Sequence, residues 1–228
     1  MNSFKNYKKL IIYLLNAGLK PTTNWFKKSN QNTLLLRHDI DFSIDYAYQL
    51  AQAEIELKVN STFFFLLTSN MYNFLSEHNI KLVKEIANMG HKVSIHFDPT
   101  AYESINSFKH EKNIFENIIK KKVDIISIHR PGKFLKNNNL LVKGIPQTYQ
   151  DVYFKKIKYI SDSGGRDIYP LLVEYLKNKK KPGLHLLTHP IWWKYKIINP
   201  TKTLNIWRNE YLNFVQLEIK KNCKTYND

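Results

Sequence analysis

The chain reads as an α/β protein whose parallel strands curl into a small, incomplete (β/α) barrel. Three observations predict this. Short β-branched and aromatic runs alternate with longer helical patterns, an order that builds βαβ units and a parallel sheet. Six such strands fit within 228 residues, fewer than a full eight-fold barrel needs. Five of the strands run into His, Asp or Arg at the same end, where parallel folds carry their sites.

The elements follow in order. The opening "MNSFKNYKKLIIYLLNAGLKP" sets lysines before a short apolar run that is too brief to cross a bilayer. No small-x-small cleavage site follows it. Leu10, Ile11, Leu14, Leu15 and Leu19 recur at helical spacing, so a packed amphipathic helix is expected within an N-terminal extension, 1–30. Strands are expected over 33–38, 61–67, 92–97, 124–128, 158–161 and 184–188. Helices are expected over 43–57, 76–89, 103–121, 147–156 and 169–180. The stretch "TLNIWRNEYLNFVQLEIKKN" supplies an amphipathic helix within a C-terminal segment, 194–228. No internal repeat or linker interrupts the pattern, so residues 1–228 are expected to form one domain.

Composition narrows the function classes. A hydrophobic fraction of 43% and an aromatic fraction of 14% are those of a globular chain. One cysteine, Cys223, excludes an internal disulfide and fits a reducing compartment. Eight histidines against one cysteine favour a His/Asp metal site over a thiolate one. The net charge of +16, from 35 Lys+Arg against 19 Asp+Glu, suits polyanions or an anionic membrane surface. The lysines nevertheless stand beside asparagines throughout, as in "KNKKKPG", which is a broad bias rather than a patch. No nucleic-acid motif accompanies them, and no nucleic-acid partner is expected. The expected location is the cytoplasm, with peripheral association at the inner face of the membrane.

The strand ends carry the chemistry. They read "RHDID", "SIHFD", "SIHRPG", "SDSGGRD" and "LLTHP". Asp39 and Asp41 are two residues apart, so extended backbone points both to one side. Paired carboxylates make sense where one binds a divalent cation and the other stays free as a base. His96 adds a neutral imidazole, His189 lies where a proton donor is needed, and Arg130 can orient a carboxylate or the substrate. Such parts suit metal-assisted hydrolysis.

These motifs, over roughly residues 33 to 193, resemble those of the polysaccharide deacetylases, the NodB-like carbohydrate esterases. "LRHDIDF" resembles the family's first motif, with an isoleucine between its two aspartates. "LKVNSTFFFL" is similar to the second-strand signature and "GHKVSIHFD" to the second motif. "HRPG" resembles the third, "SDSGGRD" the fourth and "LLTHP" the fifth. The resemblance implies an irregular (β/α) barrel and metal-dependent removal of an acyl group, usually acetyl, from an amino sugar. It implies Asp39 as catalytic base, Asp41 and His96 as metal ligands, His189 as catalytic acid, and Arg130 and Asp162 as orienting groups. The family's second motif usually has another histidine four residues on, where this chain has Thr100. His129 is the expected third ligand and Asp98 the alternative. The cofactor is a divalent metal ion, with zinc the first choice and nickel, cobalt or iron the others.

The function expected is therefore removal of an N-acetyl group from an amino sugar of a cell-surface polysaccharide or its nucleotide- or lipid-linked precursor. A metal-dependent amidase on a small non-sugar amide and a non-catalytic glycan-binding relative are the alternatives. Trp192 and Trp193 follow His189 directly; Trp192 is the expected sugar-facing ring, and covering a core edge is the competing role. His38 has the opposite alternation to Asp39 and is expected to pack between strand and helix. His91 and His185 are expected to be structural.

Overall fold

The computed structural model describes residues 4–132, 139–195 and 199–226. Its centre is a sheet of parallel strands: β1 (Lys20–Pro21), β2 (Thr33–Ile40), β3 (Thr62–Phe65), β4 (Lys92–Phe97), β5 (Ser127–Ile128), β6 (Lys158–Ser161) and β7 (Leu184–Thr188). Six of them run in the order β5-β4-β3-β2-β7-β6, with β1 added beside the start of β2. Every pairing is parallel, and the sheet curls into the half-barrel expected of alternating strand and helix.

The helices are α1 (Lys5–Asn16), α2 (Ile44–Ile55), α3 (Glu77–Asn88), α4 (Phe108–Ile119), α5 (Asp151–Phe154), α6 (Tyr169–Lys177), α7 (Pro190–Trp193) and α8 (Pro200–Asn222). Local chemistry starts several of them. Ser43 and Ser76 accept from the backbone N–H of Tyr46 and Asn79, the serine N-caps of α2 and α3. Asn199 accepts from the Lys202 N–H at the start of α8.

Strand alternation divides the side chains. His38, Ile40, Phe63, Phe65, Ile95 and Phe97 lie on the outer face, under the helices. There the apolar positions of α1, Tyr7, Leu10, Ile11 and Leu14, are fully buried and belong to the main core. The run near the N-terminus is thus a packed helix, as its spacing predicts. A buried polar knot joins α1 and α2 to the sheet. Glu54 accepts from the Tyr7 hydroxyl, from Ser61 Oγ at 2.6 Å and from His38 Nε2 at 3.0 Å, while His38 Nδ1 meets Thr188 Oγ1 at 2.7 Å. His91 accepts from the Ser61 N–H and reaches the Ala51 carbonyl. His38 and His91 are thus structural, as expected.

The opposite alternation lines the inside of the half-barrel. At its floor Trp25, from the β1–β2 connection, donates to Thr62 Oγ1 at 3.0 Å and packs edge-on against Tyr153 and His185. His185 donates to the Tyr153 carbonyl; burial, then the nearby Arg37, pushes its pKa down to about 3, so it is a neutral core histidine.

Several elements are shorter than the sequence suggests. The strand expected over 124–128 pairs with β4 only at Ser127–Ile128, because Ile126 bridges to Gln147 instead. That bridge takes up residues expected to start a helix at 147, leaving one turn, Asp151–Phe154. The last helix begins at Pro200 and buries only Thr203, so its apolar residues do not form one packed face. Residues 196–198 of the expected 194–228 segment lie outside the described residues.

Candidate active site

Two side chains of β2 and one just after it share one parity. Arg37, Asp39 and the following Asp41 all turn inward, and β2 is the central strand, so the group stands mid-barrel. Arg37 is fully buried and grips Asp39 with two parallel bonds, Nε to Oδ1 at 2.8 Å and Nη2 to Oδ2 at 2.6 Å. Its charge also sits over the Tyr149 ring, 4.8 Å from the centroid. Burial alone would push the Asp39 carboxyl up; Arg37, then His96, hold it well below the ordinary carboxylate range.

Ser127, at the start of β5, ties this pair to β4. Its hydroxyl donates to Asp39 Oδ2 at 3.0 Å and meets His96 Nδ1 at 2.9 Å, and Arg37 Nη2 donates to it. One hydroxyl has one proton. Given to Asp39, it obliges Ser127 to accept from His96 Nδ1–H, which leaves the Nε2 lone pair of His96 free. That nitrogen points at the carboxylates, 3.4 Å from Asp41 Oδ1 and 3.7 Å from Asp39 Oδ2.

His129 follows β5 and repeats the arrangement. Its Nδ1 meets Asp98 Oδ2 at 2.8 Å, so its Nε2 is also free. Asp98 is in turn occupied by the Thr100 N–H and hydroxyl, at 2.8 and 2.6 Å. One ligand atom from each of Asp41, His96 and His129 lies within 4.8 Å of the others. The Asp41 oxygen facing His96 is buried without a hydrogen-bond partner. Burial alone would raise the Asp41 carboxyl pKa; where His96 and His189 are protonated, they bring it below its ordinary value.

An orphaned carboxylate oxygen beside two oriented imidazoles is a donor set that fits a divalent cation. Of the two alternatives for the third ligand, the geometry brings His129 to Asp41 and His96, while Asp98 backs His129. Thr100 is not brought to the triad; it donates to Asp98, which caps the turn after β4.

His189 stands across the cavity at the end of β7. Asp162, after β6, is buried and accepts from the His189 backbone N–H, from His189 Nδ1 at 2.6 Å and from Trp193 Nε1 at 2.6 Å. Burial would lower the imidazole pKa, but Asp162, then Asp41, raise it to about 9. The Nε2 proton faces Asp41 Oδ2, 3.8 Å away. Asp39, Asp41, His96, His129 and His189 line a cavity of about 520 Å³, with Phe42, Tyr149 and Trp192 on its walls. Trp192 is half-buried, edge-on to Phe42, and shared with a smaller cavity of about 120 Å³ behind it. Gly165 supports this wall: its φ is +76°, and an added Cβ would stand 2.5 Å from Pro200 Cγ.

Arg130 differs from expectation. It lies exposed on the rim of the cavity in a left-handed turn (φ 47°), while the guanidinium bound to Asp39 is that of Arg37. The reason is distance along the chain: Arg37 is on the same strand and face as Asp39, whereas Arg130 is carried past the site by the turn after β5. The sequence signal for Arg37 was its shared parity with Asp39 and Asp41. Ser127 is a further member of the site that motif reading did not single out, and Trp193, read there beside Trp192, braces Asp162.

By sequence alone, no family model and no curated protein matches the chain. By structure it is similar to the chitin deacetylase of the fungal pathogen Colletotrichum lindemuthianum, with a TM-score of 0.50 and 14% identity over 84% of this chain and 86% of that one. It is also similar to the peptidoglycan deacetylase PdaC of Bacillus subtilis, with a TM-score of 0.48 and 14% identity over 87% and 98% of the two chains. A third is BA3943, a CE4 family pseudoenzyme from Bacillus anthracis, with a TM-score of 0.46 and 14% identity over 85% of this chain and 64% of that one. The chain therefore spans about two thirds of the length of BA3943. The likeness to the chitin deacetylase shows the fold: an incomplete (β/α) barrel of the polysaccharide deacetylase type. No described helix is long and apolar enough to cross a membrane.

Proposed function

We propose that this chain is a metal-dependent hydrolase that removes an N-acetyl group from an amino sugar of a cell-surface polysaccharide or of its nucleotide- or lipid-linked precursor. The observation that carries the reading is one cavity with an anchored carboxylate, a triad that could hold a cation and an imidazole backed by Asp162 arranged around it. The shared fold with a chitin deacetylase supports the substrate class.

Asp41, His96 and His129 would hold the cation, zinc by first choice or else nickel, cobalt or iron. Such an ion supplies Lewis-acid polarisation of an amide carbonyl and a more acidic water. Asp39, fixed in position by Arg37 and Ser127, accepts a proton from the attacking water. The guanidinium lowers the basicity of Asp39, so this proton transfer would depend on the water being made more acidic. His189, held as imidazolium by Asp162, donates its Nε2 proton to the departing amine nitrogen. The C–N bond breaks, acetate takes the oxygen of the water, and the free amino sugar leaves. Trp192 and Phe42 offer apolar faces to a sugar ring. The reading also includes action in the cytoplasm at the inner face of the membrane, within one catalytic unit spanning 1–228.

The test measures metal content and acetate release from N-acetyl sugars, with small amides run alongside. Replacing Asp39 by Asn should cut turnover by about 10²- to 10⁴-fold while metal content stays the same. An Asp39→Asn protein that hydrolysed the sugars at the original rate would remove Asp39 from its role. Hydrolysis confined to the small amides would favour an amidase.

A further inference from the structure

The carboxylates at and behind the cavity are already engaged among the described residues, apart from the Asp41 oxygen left to the cation triad. Asp39 is taken by Arg37 and Ser127, Asp98 by His129 and Thr100, and Asp162 by His189 and Trp193. Asp41 faces His96 within the cation triad. No acidic side chain among the described residues pairs with Arg130, yet Arg130 lines the cavity from its exposed rim. Its backbone is held by the preceding residue, whose N–H donates to the Phe97 carbonyl at 2.8 Å. The turn therefore sets the Arg130 backbone at the rim, while the guanidinium that grips Asp39 is that of Arg37.

We infer that Arg130 is the recognition group for an oxyanion on the substrate, so that the preferred substrate is an N-acetylated amino sugar bearing a phosphate or a carboxylate. The inference rests on the deacetylase reading and names its substrate class. A guanidinium fork matches the paired oxygens of either anion, and it is more readily desolvated than an ammonium. A neutral sugar would leave this charge unmatched beside the bound ring. The overall excess of 35 Lys+Arg over 19 Asp+Glu would draw an anionic precursor towards the chain.

The experiment compares three probes on the cation-loaded protein: N-acetylglucosamine, its 1-phosphate, and N-acetylmuramic acid as the carboxylate. Binding is measured by calorimetry and turnover by acetate release. Inorganic phosphate is a separate arm that reports direct binding at the cation. The wild type should favour one of the anionic sugars over the neutral one by about tenfold or more, in Kd and in kcat/KM, a ratio worth about 1.4 kcal/mol. The phosphate and carboxylate arms tell which anion is read. Arg130→Gln should collapse that preference to within about twofold, and Arg130→Lys should keep part of it, because charge survives and the fork does not.

Equal use of neutral and anionic sugars by the wild type, or a preference that survives Arg130→Gln, would overturn the inference and leave the deacetylase reading intact. An anionic preference in binding that is lost in Arg130→Gln, with no acetate released from any sugar, would overturn the deacetylase reading and keep the anion site. Inorganic phosphate that binds as tightly as the sugar phosphate, equally in wild type and Arg130→Gln, would assign the affinity to the cation and remove Arg130 from recognition.

Discussion

Replacing Arg37 by Met tests the frame of the site. The side chain is fully buried, and its two bonds to Asp39, at 2.8 and 2.6 Å, are that carboxylate's only contacts with a permanent cation. Methionine fills much of the volume but leaves Asp39 ionised and unpaired in the barrel. Breaking a buried ion pair on one side costs about 3–5 kcal/mol. That is a large part of a typical domain's total of about 5–15 kcal/mol. At about 2–4 °C per kcal/mol for a chain of this size, the melting temperature should fall by roughly 6–20 °C. The double variant Arg37→Met/Asp39→Asn removes both charges and should regain much of the loss, giving a coupling energy of about 1–3 kcal/mol in a double-mutant cycle. Equilibrium urea unfolding reads all four proteins. Acid sharpens the sign. Asp39 has a folded pKa below its unfolded value, so its contribution is present above the unfolded pKa of about 3.9 and is lost as pH falls through the folded value. In Arg37→Met that folded pKa rises, so acid unfolding should start at higher pH than in the wild type. A loss under about 1 kcal/mol, or a double variant no more stable than the single one, would refute this account of the pair.

The remaining predictions concern the acid, the cation and the outer polar knot. His189 is held as imidazolium up to about pH 9, so activity should decline on the alkaline side near there; Asp162→Asn removes the main raising influence and should move that limb down, seen in the pH profile of kcat/KM. His129→Ala should abolish tight cation binding in a chelator competition, while Asp98→Asn, which only unfastens His129, should weaken affinity about 10–100-fold. Glu54→Gln should cost about 1–3 kcal/mol, because the buried bonds to Tyr7, His38 and Ser61 lose their charged acceptor. Burial raises the Glu54 pKa, but His38 and His91 bring it below its ordinary value, so its contribution is present above the unfolded pKa and is lost as pH falls through the folded one. The unfolding curves of Glu54→Gln and wild type should therefore converge in acid.

Parity explains how much of this was readable. Strands β2, β4, β6 and β7 stand where alternation and β-branched residues put them, and Asp39, Asp41, His96, His129 and His189 do line one cavity, with Asp162 behind His189. The same period-two rule that paired Asp39 with Asp41 also contained Arg37, two residues earlier. It was obscured because an arginine inside a strand reads as an exposed position until a buried partner is known. Ser127 was harder, since its role depends on register: it faces His96 across the β4–β5 pairing, and register is not a local property. The bridge between Ile126 and Gln147 is non-local in the same sense, which is why the strand at 124 and the helix at 147 were both overdrawn. Arg130 was displaced for a backbone reason, a left-handed turn that no composition rule demands of an arginine.

Trp25 gives the half-barrel a stopper. Its indole is hydrogen-bonded to Thr62 and wedged among Phe64, Tyr153 and His185, beneath the layer that holds Arg37 and Asp39. This plug fills the inside of the sheet below Arg37, while the cavity above carries Trp192 and Arg130 on its wall and rim; on the proposed reading, substrate and products would share that mouth. On that reading the smaller product would sit deeper than the larger one, and the sugar would back out before acetate could follow. Turnover would then be sensitive to how tightly the rim holds the amine product, even though the rim takes no part in breaking the bond.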